Sequence, residues 1–131
     1  MLVKYCEEEG IRLINVVRKE ETVALLKGLG AEYVVNTSSE SFKRDLIDAM
    51  KATECTLGFD ATGGGALASD LLECMEVSLT EDKPPARYGS ITLKQVYIYG
   101  GLEWSQCTLS RKFGECVGIL AVGSCQIGME F

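Results

Sequence analysis

Residues 11–36, IRLINVVRKEETVALLKGLGAEYVVN, contain the pattern that decides the fold. Residues 11–17 are β-branched and largely apolar, which is typical of a parallel strand covered on both faces. Residues 20–29 are predicted to form a helix, because two acids open the segment where the helix dipole favours them and leucines recur at helical spacing. Gly30 ends this helix, and residues 33–36 form the next predicted strand. A strand, a helix and a strand in this order predict a right-handed crossover in a parallel sheet.

The same alternation continues on both sides of this segment. A helix tail precedes it, and further helices and strands follow. The predicted helices outside it are 1–9, 41–53 and 66–77, and the predicted strands are 56–60 and 95–99. Residues 78–87 hold both prolines and several charged residues, which indicates a solvated loop. The sequence therefore predicts the α/β class, with a parallel-sheet, doubly wound, Rossmann-like domain.

Composition excludes several kinds of function. The chain has 131 residues, 47% of them hydrophobic, which suits one domain with a core. Its 19 acidic and 13 basic residues give a net charge of −6, so we expect no nucleic acid and no membrane among its partners. Histidine is absent, which excludes Ser-His-Asp and Cys-His catalysis and any His-ligated metal.

Cysteine usage predicts a cytoplasmic protein. The six cysteines include no C-x-x-C pair that would indicate a zinc or redox site. Residues 1–10 contain three consecutive glutamates where a secretory signal needs an apolar core. Reduced thiols in the cytoplasm are therefore expected.

Arg18 and Lys19 directly follow the first predicted strand of the opening segment. Ligands bind at the carboxyl ends of strands in such sheets, and two cations at this point suit the 2′-phosphate of NADP, where NAD-binding proteins carry an acid. The alternative is that both are ordinary surface residues at the start of a solvated helix.

A second glycine turn follows the predicted strand 56–60. Gly63, Gly65 and Ala68 match the G-x-G-x-x-A dinucleotide pattern. That pattern requires an acidic ribose ligand about 20 residues onward, at the end of the next strand; here that distance falls in the solvated loop. Asp60 would also repel a pyrophosphate. We therefore predict a tight strand-to-helix turn that a neighbouring ligand edge can approach.

Several segments together resemble the cofactor-binding domain of the medium-chain dehydrogenase/reductase superfamily, in particular its zinc-independent, quinone-oxidoreductase-like branch. The segments are EGIRLINVVRK (9–19), LLKGLGAEYVVN (25–36), FDATGG (59–64), YGS (88–90) and VYIYGG (96–101). The L-x-x-L-G-A-x-x-V-x-N stretch followed by D-A-x-G-G is fairly specific as an ordered pair. The resemblance covers about residues 1–101 and extends loosely to the end of the chain.

The resemblance implies an oxidoreductase that transfers hydride from NADPH to a carbonyl or quinone, with NADP(H) as cofactor and no metal. It nominates no catalytic residue. Its cofactor-binding candidates belong to the turns after four strands. Arg18 and Lys19 would bind the 2′-phosphate, Asn36 would lie on the adenine side, Ala61, Thr62 and Gly63 would line the adenine-ribose edge, and Tyr99, Gly100 and Gly101 would lie by the nicotinamide.

The family's first strand, its Gly-rich pyrophosphate loop and its catalytic domain would precede Met1. We therefore expect residues 1–131 to form one partial dinucleotide-binding domain, a fragment incomplete at the N-terminus and inactive as this chain alone. The strands at 11–17 and 56–60 would flank an empty position, so they must pair directly, recruit another chain or leave a loose structure. Residues 112–131 are a candidate docking tail. The alternative function is a non-catalytic α/β binding or assembly module that pairs with a partner chain, such as a missing catalytic domain, or with itself as a homo-oligomer.

Overall fold

The structure, a computed structural model, describes residues 2–102, 105–121 and 127–129. The chain divides into two compact units, Met1–Thr53 and Glu54–Phe131. The first unit contains α1 (Leu2–Glu8), β1 (Ile14–Val17), α2 (Glu20–Gly28), β2 (Tyr33–Asn36) and α3 (Phe42–Thr53). The second contains β3 (Leu57–Asp60), α4 (Leu67–Thr80), β4 (Lys94–Ile98), β5 (Cys107–Leu109), β6 (Val117–Ala121) and β7 (Ile127–Met129).

The first unit is a strand–helix–strand crossover with two flanking helices. β1 and β2 pair in parallel, from Ile14 opposite Tyr33 to Val17 opposite Asn36. The predicted strand at residues 11–17 begins three residues before β1 does, because Ile11 is bonded to the C-terminal end of α1. Its amide donates to the carbonyl of Cys6, and Gly10 has a positive φ, as in the usual glycine-terminated helix end.

The second unit is built on a three-stranded parallel sheet in the order β3-β4-β6, and β5 and β7 form a separate parallel pair. The helix α4 covers one face of the larger sheet. A Cβ at Gly58 would lie 3.3 Å from the Met75 methyl group, and Val96 and Ile98 are fully buried. On the opposite face Phe59 is 62% exposed.

The predicted α/β class with parallel strands is confirmed, since every strand pair in the described part of the chain is parallel. The predicted loop at residues 78–87 begins too early, because α4 continues to Thr80, whose hydroxyl donates to the carbonyl of Glu76. Two strands, β6 and β7, lie within residues 112–131; that this segment docks onto something stays a prediction. No helix in the described ranges is both long and apolar enough to span a bilayer.

Among the described strands, β1 and β3 each keep one edge unpaired. Among the described strands, β1 pairs only with β2, and β3 pairs only with β4. These are the strands that the sequence predicts to flank an empty position. β1 belongs to the two-stranded sheet of the first unit, and β3 belongs to the three-stranded sheet of the second.

Candidate functional site

The ends of β1 and β2 form what we call the basic corner, residues 18, 19 and 36–38. Because Val17 pairs with Asn36, both strands end side by side. The turn after β2 then folds over the residue after β1: the Ser38 hydroxyl donates to the Arg18 carbonyl over 2.8 Å. Arg18 and Lys19 are both exposed. The structure thus brings together the three predicted candidates of the first unit.

An acidic residue that sequence analysis missed also lies at this corner. The Asn36 side-chain amide donates to Glu20 Oε2 over 2.9 Å, and Asn36 Oδ1 accepts from the Ser38 amide over 2.8 Å. The signal was present in the sequence, since Glu20 opens α2 directly after Lys19. Its carboxylate reduces the positive potential that Arg18 and Lys19 create, which weakens attraction for a phosphate at the same corner.

The second unit brings the other six candidates together at what we call the glycine corner, residues 61–63 and 99–101. The Asp60 carbonyl accepts hydrogen bonds from the amides of Tyr99 and Gly100 over 3.0 and 3.4 Å. The two turns then touch through bare backbone. A Cβ on Gly63 would overlap the Gly100 carbonyl oxygen, and a Cβ on Gly100 would overlap the Ala61 carbonyl oxygen.

The outer side of the glycine corner is open. A Cβ at Gly101 would meet nothing within 4 Å, and Tyr99 is 59% exposed. Exposed backbone beside an aromatic ring is a surface on which a flat ring with amide hydrogen-bonding groups can lie. The residues present therefore fit the nicotinamide end of a cofactor.

The structure argues against a pyrophosphate loop at the G-x-G-x-x-A pattern, as sequence analysis expected. The Gly65 amide donates to the Gln106 carbonyl over 3.2 Å, and the Gly65 carbonyl accepts from the Thr108 amide over 2.9 Å. A phosphate-binding loop must keep its backbone amides free for the ligand. Here the Gly65 amide is bonded to the segment that begins β5.

The Asp60 side chain holds the first turn of the glycine corner through two hydrogen bonds to Thr62. Its Oδ1 accepts from the amide of Thr62 over 2.8 Å and from the Thr62 hydroxyl over 2.6 Å, an Asx turn. The side chain is fully buried. Its other oxygen, Oδ2, is buried and has no hydrogen-bond partner in the described part of the chain.

A buried ion pair lies at the other end of β4. Lys94 is fully buried, and its Nζ is 2.8 Å from Glu76 Oε2 and 2.8 Å from the Ser90 hydroxyl. Burial raises the pKa of the Glu76 carboxyl, but hydrogen bonds from Lys94 and Ser90, together with the Lys94 charge, outweigh burial and lower this pKa overall. The cluster anchors α4 to β4 and contains no predicted site residue.

A cavity of about 250 Å³ in the first unit lies away from the basic corner. It is lined by α1 and by the residues that precede and begin β1 and β2, among them Cys6, Arg12 and Tyr33. This is the amino-terminal end of the strands, whereas parallel sheets bind ligands at the carboxyl end. The predicted site is therefore an open surface and not this cavity.

A solved structure is similar to this chain in fold and sequence. A putative NADPH:quinone reductase from Mesorhizobium loti is 32% identical, with a TM-score of 0.61 over 81% of this chain. The chain is a Rossmann-like α/β segment. It covers 26% of the length of the reductase. No protein-family model matches the chain, and no curated protein matches it.

Proposed function

We propose that this chain is the cofactor-binding segment of an NADPH-dependent oxidoreductase of the quinone-reductase-like, zinc-independent medium-chain branch. The observation that carries the proposal is the glycine corner, where two strand-end turns meet through backbone that no side chain could replace. The similarity to a reductase supports it. We also propose a cytoplasmic location, because the cysteines are expected to be reduced thiols.

The basic corner is proposed to bind the adenosine half of NADP(H). Arg18 and Lys19 would pair with the 2′-phosphate, because both are exposed at the carboxyl end of β1. Asn36 would lie on the adenine side, with its amide already held by Glu20. The Glu20 carboxylate is therefore expected to limit the preference for the phosphorylated cofactor without abolishing it.

The glycine corner is proposed to contact the cofactor through both of its turns. Ala61, Thr62 and Gly63 would line the adenine-ribose edge, while the exposed backbone of Tyr99–Gly101 would orient the nicotinamide ring. When bound, the cofactor supplies the hydride for reduction of a quinone or an enone-like carbonyl. The chain's own contribution is orientation, and no side chain at either corner is assigned a proton transfer.

The cofactor proposal is tested by thermal shift and saturation-transfer NMR with NADPH and NADH on the folded chain. We expect NADPH to raise the unfolding temperature more than NADH does. Lys19→Ala should weaken NADPH binding about 3- to 10-fold, the range of one exposed phosphate contact. Lys27→Ala removes another exposed cation, at the other end of α2, and serves as the matched control. No response to NADPH, or equal effects of both variants, would contradict the proposal.

The second candidate function is an assembly module, and the unpaired edges of β1 and β3 favour it. An exposed strand edge presents amides and carbonyls that a strand from another chain can pair with. Native mass spectrometry and light scattering test this candidate. A dimer or larger assembly at micromolar concentration would support it, and a strict monomer with well-dispersed amide NMR signals would exclude self-pairing.

A further inference from the structure

Asp60 carries a feature that the proposed function does not use. Its side chain is fully buried, yet Oδ2 has no hydrogen-bond partner in the described part of the chain. A buried carboxylate normally has every lone pair occupied or a cation beside it, because an uncompensated charge is costly away from water. No described cation forms an ion pair with Asp60. One oxygen of this fully buried carboxyl group is therefore left without a hydrogen-bond partner in the described part of the chain.

The position of this carboxyl group is well defined. The Asp60 main chain bonds to Tyr99 and Gly100, and its side chain holds Thr62. Oδ1 accepts both a backbone N–H and a hydroxyl from Thr62, which fixes the orientation of the carboxyl group. Because the Asp60 carbonyl bonds directly to the amides of Tyr99 and Gly100, the carboxylate lies on the residue next to the backbone of the glycine corner.

We propose that Asp60 is a charge-selecting residue, which favours a positively charged ring over a neutral ring at the glycine corner. This inference rests on the proposed function, because the ring in question is the nicotinamide. The ring carries a positive charge in NADP⁺ and none in NADPH. A negative charge fixed beneath it therefore stabilises the bound oxidised form relative to the bound reduced form, whatever the other contacts contribute.

The expected size follows from Coulomb's law. A ring in contact with the exposed backbone lies roughly 8 Å from the carboxylate, the sum of a strand spacing and a van der Waals contact. With an effective dielectric constant between about 80 and about 40, the attraction changes the ratio of the two dissociation constants about 2- to 6-fold. Because the charge is buried, added salt should reduce this effect less than it reduces binding at the basic corner.

The test is calorimetric titration of the full chain with NADP⁺, NADPH, and the oxidised and reduced forms of nicotinamide mononucleotide, which probe the glycine corner by themselves. Asp60→Asn removes the charge and keeps an acceptor for Thr62. Asp82→Asn makes the same charge change beyond the far end of α4, about 20 Å along that helix.

We expect Asp60→Asn to lower the ratio of the reduced to the oxidised dissociation constant at least 2-fold, with the ratio unchanged in Asp82→Asn. An unchanged or raised ratio in Asp60→Asn overturns the inference. If Asp60→Asn does not fold, tighter binding of the oxidised mononucleotide by the unmodified chain supports the inference, and tighter binding of the reduced form overturns it. If the mononucleotides bind with the expected ratio but the dinucleotides do not bind, the proposed function fails while the charge selection stands. Binding of none of the four ligands overturns both.

Discussion

Neutralising Glu76 should destabilise the second unit more than any comparable change on the surface. Lys94 is fully buried, and Glu76 is its partner at 2.8 Å. Glu76→Gln leaves the Lys94 ammonium in place without a countercharge. Removing one partner of a buried pair costs about 3–5 kcal/mol, because the remaining charge cannot reach water. Since the Ser90 hydroxyl also contacts Lys94, we expect the lower end, about 3 kcal/mol.

The assay is urea unfolding at pH 7, followed by circular dichroism. The surface pair Arg44–Asp48, with side chains 53% and 57% exposed, provides the control; Asp48→Asn should cost at most about 0.5 kcal/mol. The double change Glu76→Gln with Lys94→Met should recover part of the loss, because it removes the buried charge altogether. A loss below about 1 kcal/mol for Glu76→Gln would refute the reasoning that this pair is the main electrostatic anchor of β4.

The same pair has a pH dependence of defined sign. The pKa of Glu76 is lower in the folded chain than in the unfolded chain. The stabilisation is therefore fully present above the unfolded pKa of about 4.3 and is lost as the pH falls through the lower, folded value. Urea midpoints measured from pH 7 to pH 3 should fall more for the unmodified chain than for Glu76→Gln. Parallel curves would show that Glu76 does not contribute.

Three further outcomes are expected. Gly100→Ala should destabilise the second unit by about 2 kcal/mol or more in urea unfolding, because its Cβ would overlap the Ala61 carbonyl. Gly101→Ala is the control and should cost under about 1 kcal/mol, because the space around its Cβ is free. Equal losses of stability in the two variants would contradict the described contact. Glu20→Gln should tighten NADPH binding about 3-fold in calorimetric titration by removing a negative charge from the basic corner, whereas weaker binding would show that Glu20 helps to hold the ligand. Burial raises the pKa of the half-buried Cys55 thiol, so Cys55 should react with iodoacetamide at pH 8 more slowly than free cysteine does, and faster reaction would contradict this shift.

Local pattern was sufficient for most element positions. The strand at residues 33–36 matches β2, because β-branched and aromatic residues bounded by a turn have few alternatives. The predicted strand at residues 11–17 was too long, because the chain after α1 ends the helix through a bond from the Ile11 amide to the Cys6 carbonyl. The apolar pattern of residues 11–17 does not show this bond, since Cys6 lies outside the pattern. The three-residue strand β5 went unseen because so short an apolar run carries no periodicity of its own.

The candidate site divides in the same way. The strand pattern predicts the turns after four strands as the site, since ligand sites follow strand ends in parallel sheets. The position of Glu20 at the basic corner could not be predicted in this way, because the partner of Glu20 is Asn36, sixteen residues further along the chain. Lys94 would be read as an ordinary surface cation, and only its contact with Glu76 makes it part of the core.

The sequence by itself determined the order of strands and helices and the glycine turns, because periodicity and turn chemistry act over a few neighbouring positions. It also determined the acidic net charge, which depends on composition alone. The meeting of Gly63 with Gly100, the use of the Gly65 amide by β5 and the burial of Asp60 depended on residues distant in the chain. Such contacts exist only after the sheet has formed, because hydrogen-bond partners and burial are set by packing between elements and not by the residues next to them.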